Sequence, residues 1–471
     1  MKNKLILTFS LLCSFVLFSQ QDLQNLTLQE AIDFALINNR TAKNATRDVD
    51  AAYKQKWETI ATGLPQINGN IDYQNWLKQQ VSLLPASAFD NTQSIIDVVN
   101  DYFDANQNNF DVNSADGFIP VRFGTKQTMN AFVTLSQLIF DGSYIVGLQS
   151  AKVFLEISKN AKIKTDLEVR KSAINAYGNV LLTRESVNIL DRNRAALQKN
   201  LNEITRIYEN GLEEEESVEQ LKITLSSIES TLNNTTRLKK VAYQMLNMVL
   251  GIDINTEVNL YDNLETLTAQ NIDLGIMNSP FMVENTIDYL IAENDKTAKA
   301  LLLKLEKSKA LPNLSAFVNA GYNGNSDDFN FLKKNQKWFG SSLIGVTMNI
   351  PIFSSGMRSA STQRASINLE KAKDDLTETE QRIKLEIATA KSDYQFSIED
   401  YENKKRNLNL AERIEQKNQT KFFEGIASSF DLRQAQIQLY TAQQEFLQAM
   451  LDVINNKAAL ETALNQTLNN Q

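Results

Sequence analysis

Four stretches of the chain alternate apolar and polar side chains with period two, the signature of an extended strand with two unlike faces. In the first, Ile67, Ile71, Tyr73 and Leu77 fall on one face, and Gln66, Asn68, Asn70, Asp72 and Gln74 on the other. Met129, Ala131, Val133, Leu135 and Ile139 make one face of the second, with Thr134 opposite. The third sets Leu314, Ala316, Val318, Ala320 and Tyr322 against Asn313, Ser315, Asn319 and Asn323. The fourth sets Ile344, Val346, Met348 and Ile350 against Gly345, Thr347 and Asn349. The expected strands run about 65–77, 129–140, 312–323 and 339–352, close to the ~9–11 residues a tilted strand needs to cross a bilayer. Trp76, Tyr322, Trp338 and Phe339 sit near the loop-side ends, where an interfacial aromatic girdle belongs. Two soluble hairpins, each burying one face, would alternate in the same way. The membrane reading accounts for both faces in a chain that offers these strands no other core.

Elsewhere the pattern changes to threes, fours and sevens. From Ala365 onward it runs Leu369, Ala372, Leu376, Ile383, Ile387, Ala390, Tyr394, Ile398, Tyr401 and Leu408, a seam of period 3.5 that predicts coiled-coil-like helix packing. Leu190, Leu197, Leu201, Ile204 and Tyr208 repeat the spacing earlier in the chain. The prolines agree. All six lie at 65, 85, 120, 280, 312 and 351, leaving 121–279 and 352–471 free of the strongest helix breaker. Long helices are expected over about 143–210 and 357–424, and shorter ones over about 27–62 and 281–309.

The two halves repeat one another. "AIDFALINNRTAK" (31–43) resembles "TIDYLIAENDKTAK" (286–299), and "GLPQINGNIDY" (63–73) resembles "ALPNLSAFVNAGY" (310–322). "VTLSQLIFDG" (133–142) pairs with "VTMNIPIFSSG" (346–356), and "GLEEEESVEQLKITL" (211–225) with "GIASSFDLRQAQIQL" (425–439). Four matches in one order mark a tandem duplication with a spacing of about 210–250 residues. The expected organisation is a leader over 1–19, a first repeat over 20–250, a connector over 251–280 and a second repeat over 281–471.

Composition narrows the function. MKNK, the apolar run Leu5–Phe18 and "SQQD" have the layout of a secretory signal, with cleavage expected at or near Ser19. The run is too short for a spanning helix of ~20 residues, and Leu12 before Cys13 speaks against a lipoprotein signal. Cys13 is the only cysteine and there is no histidine, so disulfides, thiol chemistry and histidine-based acid–base or metal chemistry are excluded from the mature chain. No paired-acid motif replaces them, so no enzyme, cofactor or metal site is expected. Without Lys2 and Lys4, 46 of the 48 basic residues remain against 56 acidic ones, a net charge of −10. That balance, with no basic cluster, makes nucleic acid a poor partner.

"LTLQEAIDFALINN", the strand openings "LPQI" and "LPNL", the strand-to-helix passage "IPIFSSG" and the two glycine-led turns together resemble the TolC-like outer-membrane efflux proteins. The resemblance covers essentially the whole mature chain, with one departure at Arg40, where the family often has proline. It implies an α+β membrane protein made of two strand-hairpin/long-helix-hairpin repeats. Three copies would form a twelve-stranded outer-membrane β-barrel continued by a periplasmic α-helical barrel. It also implies a homotrimer in the outer membrane of a Gram-negative bacterium, served by a periplasmic adaptor and an inner-membrane transporter. The function implied is the exit duct of a tripartite efflux system. A protein-exporting role within the same family, and a periplasmic coiled-coil structural protein from another class, are the alternatives.

The helix tips carry the candidate site. Gly211 and Gly425 are each placed to end a long helix in the left-handed region, with turns expected at 212–216 and 426–430. Ser217 with Gln220, and Asp431 with Gln434, have capping-box spacing and are expected to start the returning helices. Glu213, Glu214, Glu215 and Glu216 then lie at a tip and serve either as a solvated turn or as a charged ring around an opening. Asp431 matches an acidic pore position of the family, whereas Gln434 replaces the next acid. The family's tip-locking tyrosine, arginine and aspartate fall on Phe422, Ala427 and Ser217, so any latch here must differ. Gly211, Leu212, Ser217, Gly425, Ile426 and Gln434 are the expected adaptor-docking positions. Residues 74–128 are expected to be a long inter-strand loop over the barrel mouth. Neither its "DANQN" nor its "DVNSADG" has the glycine at position six with the glutamate at position twelve of a calcium loop.

Overall fold

The computed structural model describes residues 25–86, 91–103, 117–278 and 281–465. Along the chain the elements are α1 (Leu28–Asn38), α2 (Arg40–Thr62), β1 (Gln66–Asn75), β2 (Val81–Pro85), α3 (Thr92–Phe103), β3 (Phe118–Arg122), β4 (Gln127–Asp141), α4 (Gly142–Glu209) and α5 (Glu215–Leu250). There follow α6 (Leu264–Asn271), α7 (Ile287–Ser308), β5 (Asn313–Ser326), β6 (Trp338–Asn349), α8 (Met357–Phe423) and α9 (Ser429–Leu464). The fold is mostly helical with some sheet. Two compact units form among the described residues, and neither is one of the sequence repeats: one falls within 57–148 and 304–361, the other takes the remaining described residues.

In the first unit both repeats contribute to one antiparallel sheet of order β1-β4-β5-β6. β1 and β6 are its edges, and neither has an outer partner among the described residues. A bulge between Leu138 and Phe140 brings Phe140, rather than Ile139, opposite Leu314. Ile139, expected on the apolar row, is therefore the extra residue that alternation alone could not foresee. Asp141 caps the start of α4, its carboxylate accepting from the backbone N–H of Ser143 at 2.6 Å and of Tyr144 at 3.2 Å. The Tyr144 hydroxyl donates to the Ile60 carbonyl at 3.1 Å. Its ring lies where a Cβ on Gly63 would come within 2.2 Å, so a larger residue here would have to displace the Tyr144 ring.

The span between β1 and β4 is not a bare loop. β2 and β3 pair antiparallel, and α3 follows β2 in sequence. β2 and β3 are only five residues each, too short for a sustained alternation, whereas the 12-residue α3 was missed although Ile95, Val98, Val99 and Tyr102 carry a helical spacing. Asp97 and Asp101 lie in α3, whereas Asp90, Asp104, Asp111 and Asp116 fall outside the described residues. The two calcium-loop-like stretches fall outside them too, apart from Gly117.

The second unit is helical. α1 opens with a capping box in which Thr27 and Glu30 bond reciprocally. The expected single helix over 27–62 is broken at Asn39. The Asn39 side chain accepts from Thr41 N–H at 2.8 Å and donates to the Val249 carbonyl at 2.7 Å, so α2 starts at Arg40 without a proline. The main core joins α1, the middle of α4, the end of α5, the connector, and the facing stretches of α8 and α9 around Tyr177, Leu246, Ile387, Tyr394 and Ile454. Two buried tyrosines tie the connector to the long helices. Tyr177 bonds the Leu26 carbonyl at 2.9 Å and the Asp262 carboxylate at 2.8 Å, and burial pushes its phenol pKa up. Tyr394 donates to the Asn271 carbonyl at 2.5 Å and accepts from Asp273 N–H at 2.8 Å. A second cluster packs Leu190, Leu197, Leu201 and Ile204 of α4 against Val218 to Leu232 of α5, with Phe422 and Leu432. Tyr208, expected in this seam, stays partly exposed instead, because the helix ends one residue later.

Candidate functional site

Directly opposed residues of an antiparallel ladder share a face. Ile67, Leu135, Val318 and Ile344 form one such row, and Gly69, Val133, Ala320 and Ser342 another on the same side. Ile71 with Tyr322, and Ala316 with Val346, extend that face. It is open to the surroundings: Ile67 is 72% and Ile344 76% exposed. Such a contiguous apolar surface is not left bare in water. The other side carries Asn68, Thr134, Asn319 and Leu343 in one row, with the Asn319 amide donating to Thr134 Oγ1 at 2.8 Å. Asp72, Asn130 and Asn323 lie in a further polar row, which ends on Phe339. Phe339 thus sits on the opposite side of the sheet from Tyr322 and Trp338, its companions in the expected girdle. Trp76 lies just beyond β1.

The β5–β6 connection folds back over the apolar side. Phe331 is only 4% exposed and lies against Trp338 and over Gly324. Tyr73 meets Phe329 and Phe331 edge-on, with centroids 5.6 and 6.0 Å apart. The sequence offered no periodic signal for this cluster, because a loop folded onto a sheet has none.

At both helix tips the chain turns identically. Gly211 and Gly425 have φ of 74° and 72°, the left-handed region that glycine adopts without strain. The N–H of Leu212 reaches the Ile207 carbonyl at 3.1 Å, and that of Ile426 the Lys421 carbonyl at 2.8 Å. With the Gly211-to-Tyr208 and Gly425-to-Phe422 bonds these are Schellman closures. In that motif the residue after the glycine often packs back on its own helix. Here Leu212 is 78% and Ile426 71% exposed.

The caps lie three residues earlier than expected. Ser428 is the N-cap of α9, and Asp431 is the third helical residue that reaches back to it. Ser428 Oγ lies 2.7 Å from the Asp431 carboxylate and accepts from Asp431 N–H at 3.2 Å. Asp431 with Gln434 is therefore not the box: the helix already starts at Ser429, and the Asp431 carboxylate accepts from Ser428 N–H at 3.1 Å. At the first tip Glu214 occupies the cap position with no side-chain bond, and α5 begins at Glu215. Ser217 is inside the helix and buried, its hydroxyl donating to Glu213 Oε1 at 2.6 Å, while Gln220 donates to Glu216 at 2.8 Å. The turns thus close before 215 and 429. Glu214, Glu215 and Glu216 are exposed, Glu213 is half-buried, and Gln434 is exposed on α9. Phe422 is buried beside Phe423, and Ala427 lies in the turn.

Two outcomes test this geometry. Val318→Arg should cost about 2–4 kcal/mol of barrel stability in a membrane and Asn319→Arg far less, and equal tolerance of both in an outer-membrane assembly assay contradicts the facing. At the second tip, the Ser428 hydroxyl and then its backbone N–H hold the Asp431 carboxyl below the ordinary carboxylate range. A lowered folded pKa stabilises the turn above the unfolded value, and that contribution fades as pH falls through the folded one. A carbon-detected titration of labelled aspartate should show Asp431 below an unstructured aspartate, and Ser428→Ala should move it up. An unmoved midpoint contradicts the cap.

With this geometry in place, comparison with known proteins is informative. Residues 300–466 match the family described as outer membrane efflux protein. No curated protein matches the chain. Among solved structures, CusC, described for its folding and transmembrane channel formation, is 18% identical, with a TM-score of 0.71 over 93% of this chain and 91% of that one. VceC, an outer membrane protein of Vibrio cholerae, is 16% identical with a TM-score of 0.67 over 93% of this chain and 95% of its own. The CmeC outer membrane channel of Campylobacter jejuni is 18% identical with a TM-score of 0.68, over 93% and 85%. At these identities the structures establish the shared fold. With the family match, they bear out the resemblance carried by the sequence motifs.

Proposed function

We propose that this chain is a TolC-like outer membrane efflux protein, one of three subunits of a channel that carries small molecules from an inner-membrane pump and a periplasmic adaptor to the outside. The observation that supports this reading best is the sheet: one apolar, exposed face and two edge strands without an outer partner among the described residues. In lipid an open edge leaves backbone groups unbonded at several kcal/mol each. Four strands do not close on themselves, and bacterial barrels begin at about eight. Three copies, with β1 of one against β6 of the next, would close a twelve-stranded barrel in which every strand alternates direction. Exposed apolar residues on the helices, among them Ile223, Met248, Leu385 and Phe396, support contacts between copies. At 1.5 Å per residue, α4 and α8 would each span about 100 Å of periplasm. The protein performs no chemistry in this reading. A protein-exporting role would use the same architecture, and a soluble structural protein would need neither detergent for extraction nor heat to unfold in a gel.

The tips are the proposed entrance. Leu212 and Ile426, exposed in matching Schellman turns, offer apolar knobs to an adaptor, flanked by Gly211, Ser217, Gly425 and Gln434. Cysteines at Leu212 or Ile426 should crosslink to an adaptor, and crosslinks obtained only at strand-loop positions such as Trp76 would contradict docking at the tips. Three copies of Glu213 to Glu216, with Asp431, would set a negative potential at the opening that favours cations. Screening over ~8 Å at physiological salt makes the effect largest when the opening is narrow. Purified channels in planar bilayers should be cation-selective and partly blocked by divalent cations from the periplasmic side. Changing all four glutamates to Gln should reduce both, with assembly intact, and Asp431→Asn should do less. An unchanged reversal potential and block in the quadruple variant leave the glutamates as a solvated turn.

A further inference from the structure

The β5–β6 connection carries a second charged feature that the channel reading leaves without a role. After Phe331 the chain reads Leu332, Lys333, Lys334, Asn335, Gln336, Lys337 and Trp338. The segment is ordered by turns: Lys333 N–H reaches the Asn330 carbonyl at 2.9 Å, and Gln336 N–H the Lys333 carbonyl at 3.1 Å. The Gln336 amide also bonds the carbonyls of Asn325 and Lys337, at 3.3 and 2.9 Å. Lys333, Lys334 and Lys337 are exposed, and none forms an ion pair with a described residue. The two acids of the connection, Asp327 and Asp328, lie at its other end, and Asp327 accepts from the Lys126 backbone N–H at 3.0 Å.

The side of the sheet matters. Phe329 and Phe331 pack on Tyr73 and Trp338, so the connection is folded onto the apolar face rather than over the polar one. Leu332, 84% exposed, adds an unpartnered apolar side chain directly beside two of the lysines. Three cations thus follow an aromatic cluster at the rim of the apolar face. In a bilayer that is the level at which tails give way to charged headgroups.

We propose that this rim is a binding site for a phosphorylated glycolipid of the surrounding leaflet. Phosphate groups meet Lys333, Lys334 and Lys337, and an acyl chain lies along Leu332, Phe329 and the apolar strand rows below. The site rests on the reading of the sheet as membrane-spanning. Charge complementarity selects the headgroup, because a neutral lipid would satisfy the apolar rim and leave three ammonium groups without counter-charges among the described residues. A juxtamembrane lysine contributes on the order of a few-fold in affinity, so three together should amount to tenfold or more.

The test uses the full chain purified in detergent, with lipid A and its enzymatically dephosphorylated form as probes, read by native mass spectrometry and by protection of lysines from acetylation. Lipid A should bind at least about tenfold more tightly than the dephosphorylated form and should protect the three lysines. The K333A/K334A/K337A variant should lose that preference, and the K333R/K334R/K337R variant should keep it. Equal binding of both lipids, or an undiminished preference in the alanine variant, overturns the site. So does protection of the lysines in lipid-free protein, which would mean that a second copy covers them. Detergent-dependent extraction of the same alanine variant separates the outcomes: a variant that remains a membrane protein but shows no lost preference refutes the lipid site alone.

Discussion

The backbone hydrogen bonds along two strand edges are the constraint on which the rest of the structure depends. β1 and β6 each present a row of N–H and C=O groups with no partner among the described residues, next to a face made of Ile67, Val318, Ile344 and Val346. In water such edges invite aggregation, and in hydrocarbon they are not tolerated at all. In the proposed reading, burying the apolar face in lipid and pairing the edges are one requirement, and repetition of the chain would meet both. Duplication makes the repetition economical. Each repeat supplies one hairpin's worth of strands and one helix pair, and the two hairpins join through β4 and β5 into a single sheet.

The same logic extends to the helices. α4 and α8, of 68 and 67 residues, bury a narrow seam and leave apolar residues on other faces. In the proposed channel, neighbouring copies would cover the apolar residues that this chain's own core leaves exposed. Within one chain the anchoring falls to the connector, where Tyr177 and Tyr394 each hold it through a buried hydroxyl. Both are fully buried, and each sits midway along a helix otherwise rich in polar residues.

Much of this was legible in the sequence because it is periodic. The alternation at Val318 and Asn319, the seam through Ile383, Ile387 and Tyr394, and the glycines at 211 and 425 each reflect one local rule applied over several residues. What escaped depends on a single residue winning a competition. Ser428 takes the cap that spacing assigned to Asp431, since its hydroxyl accepts from Asp431 N–H and starts the helix three residues earlier. Ile139 left its row because one extra residue was accommodated as a bulge. The aromatic cluster around Phe331 was invisible because its contacts cross from a loop to strands distant in sequence. The tip glutamates were located as a tip feature, but Ser217 holds Glu213 rather than starting the helix.

Closure of the sheet by other copies is the central claim, and disulfide trapping tests it most directly. Cys13 is the only cysteine in the sequence, so a Cys13→Ser chain is a clean background. Pairs can be placed with one cysteine on β1, at Asn68 or Asn70, and one on β6, at Ser341 or Leu343. At least one pair should give covalent dimers and trimers in outer-membrane fractions, with no larger species, because three copies close the ring. Monomers throughout, or a ladder running past the trimer, would contradict a closed barrel of three chains.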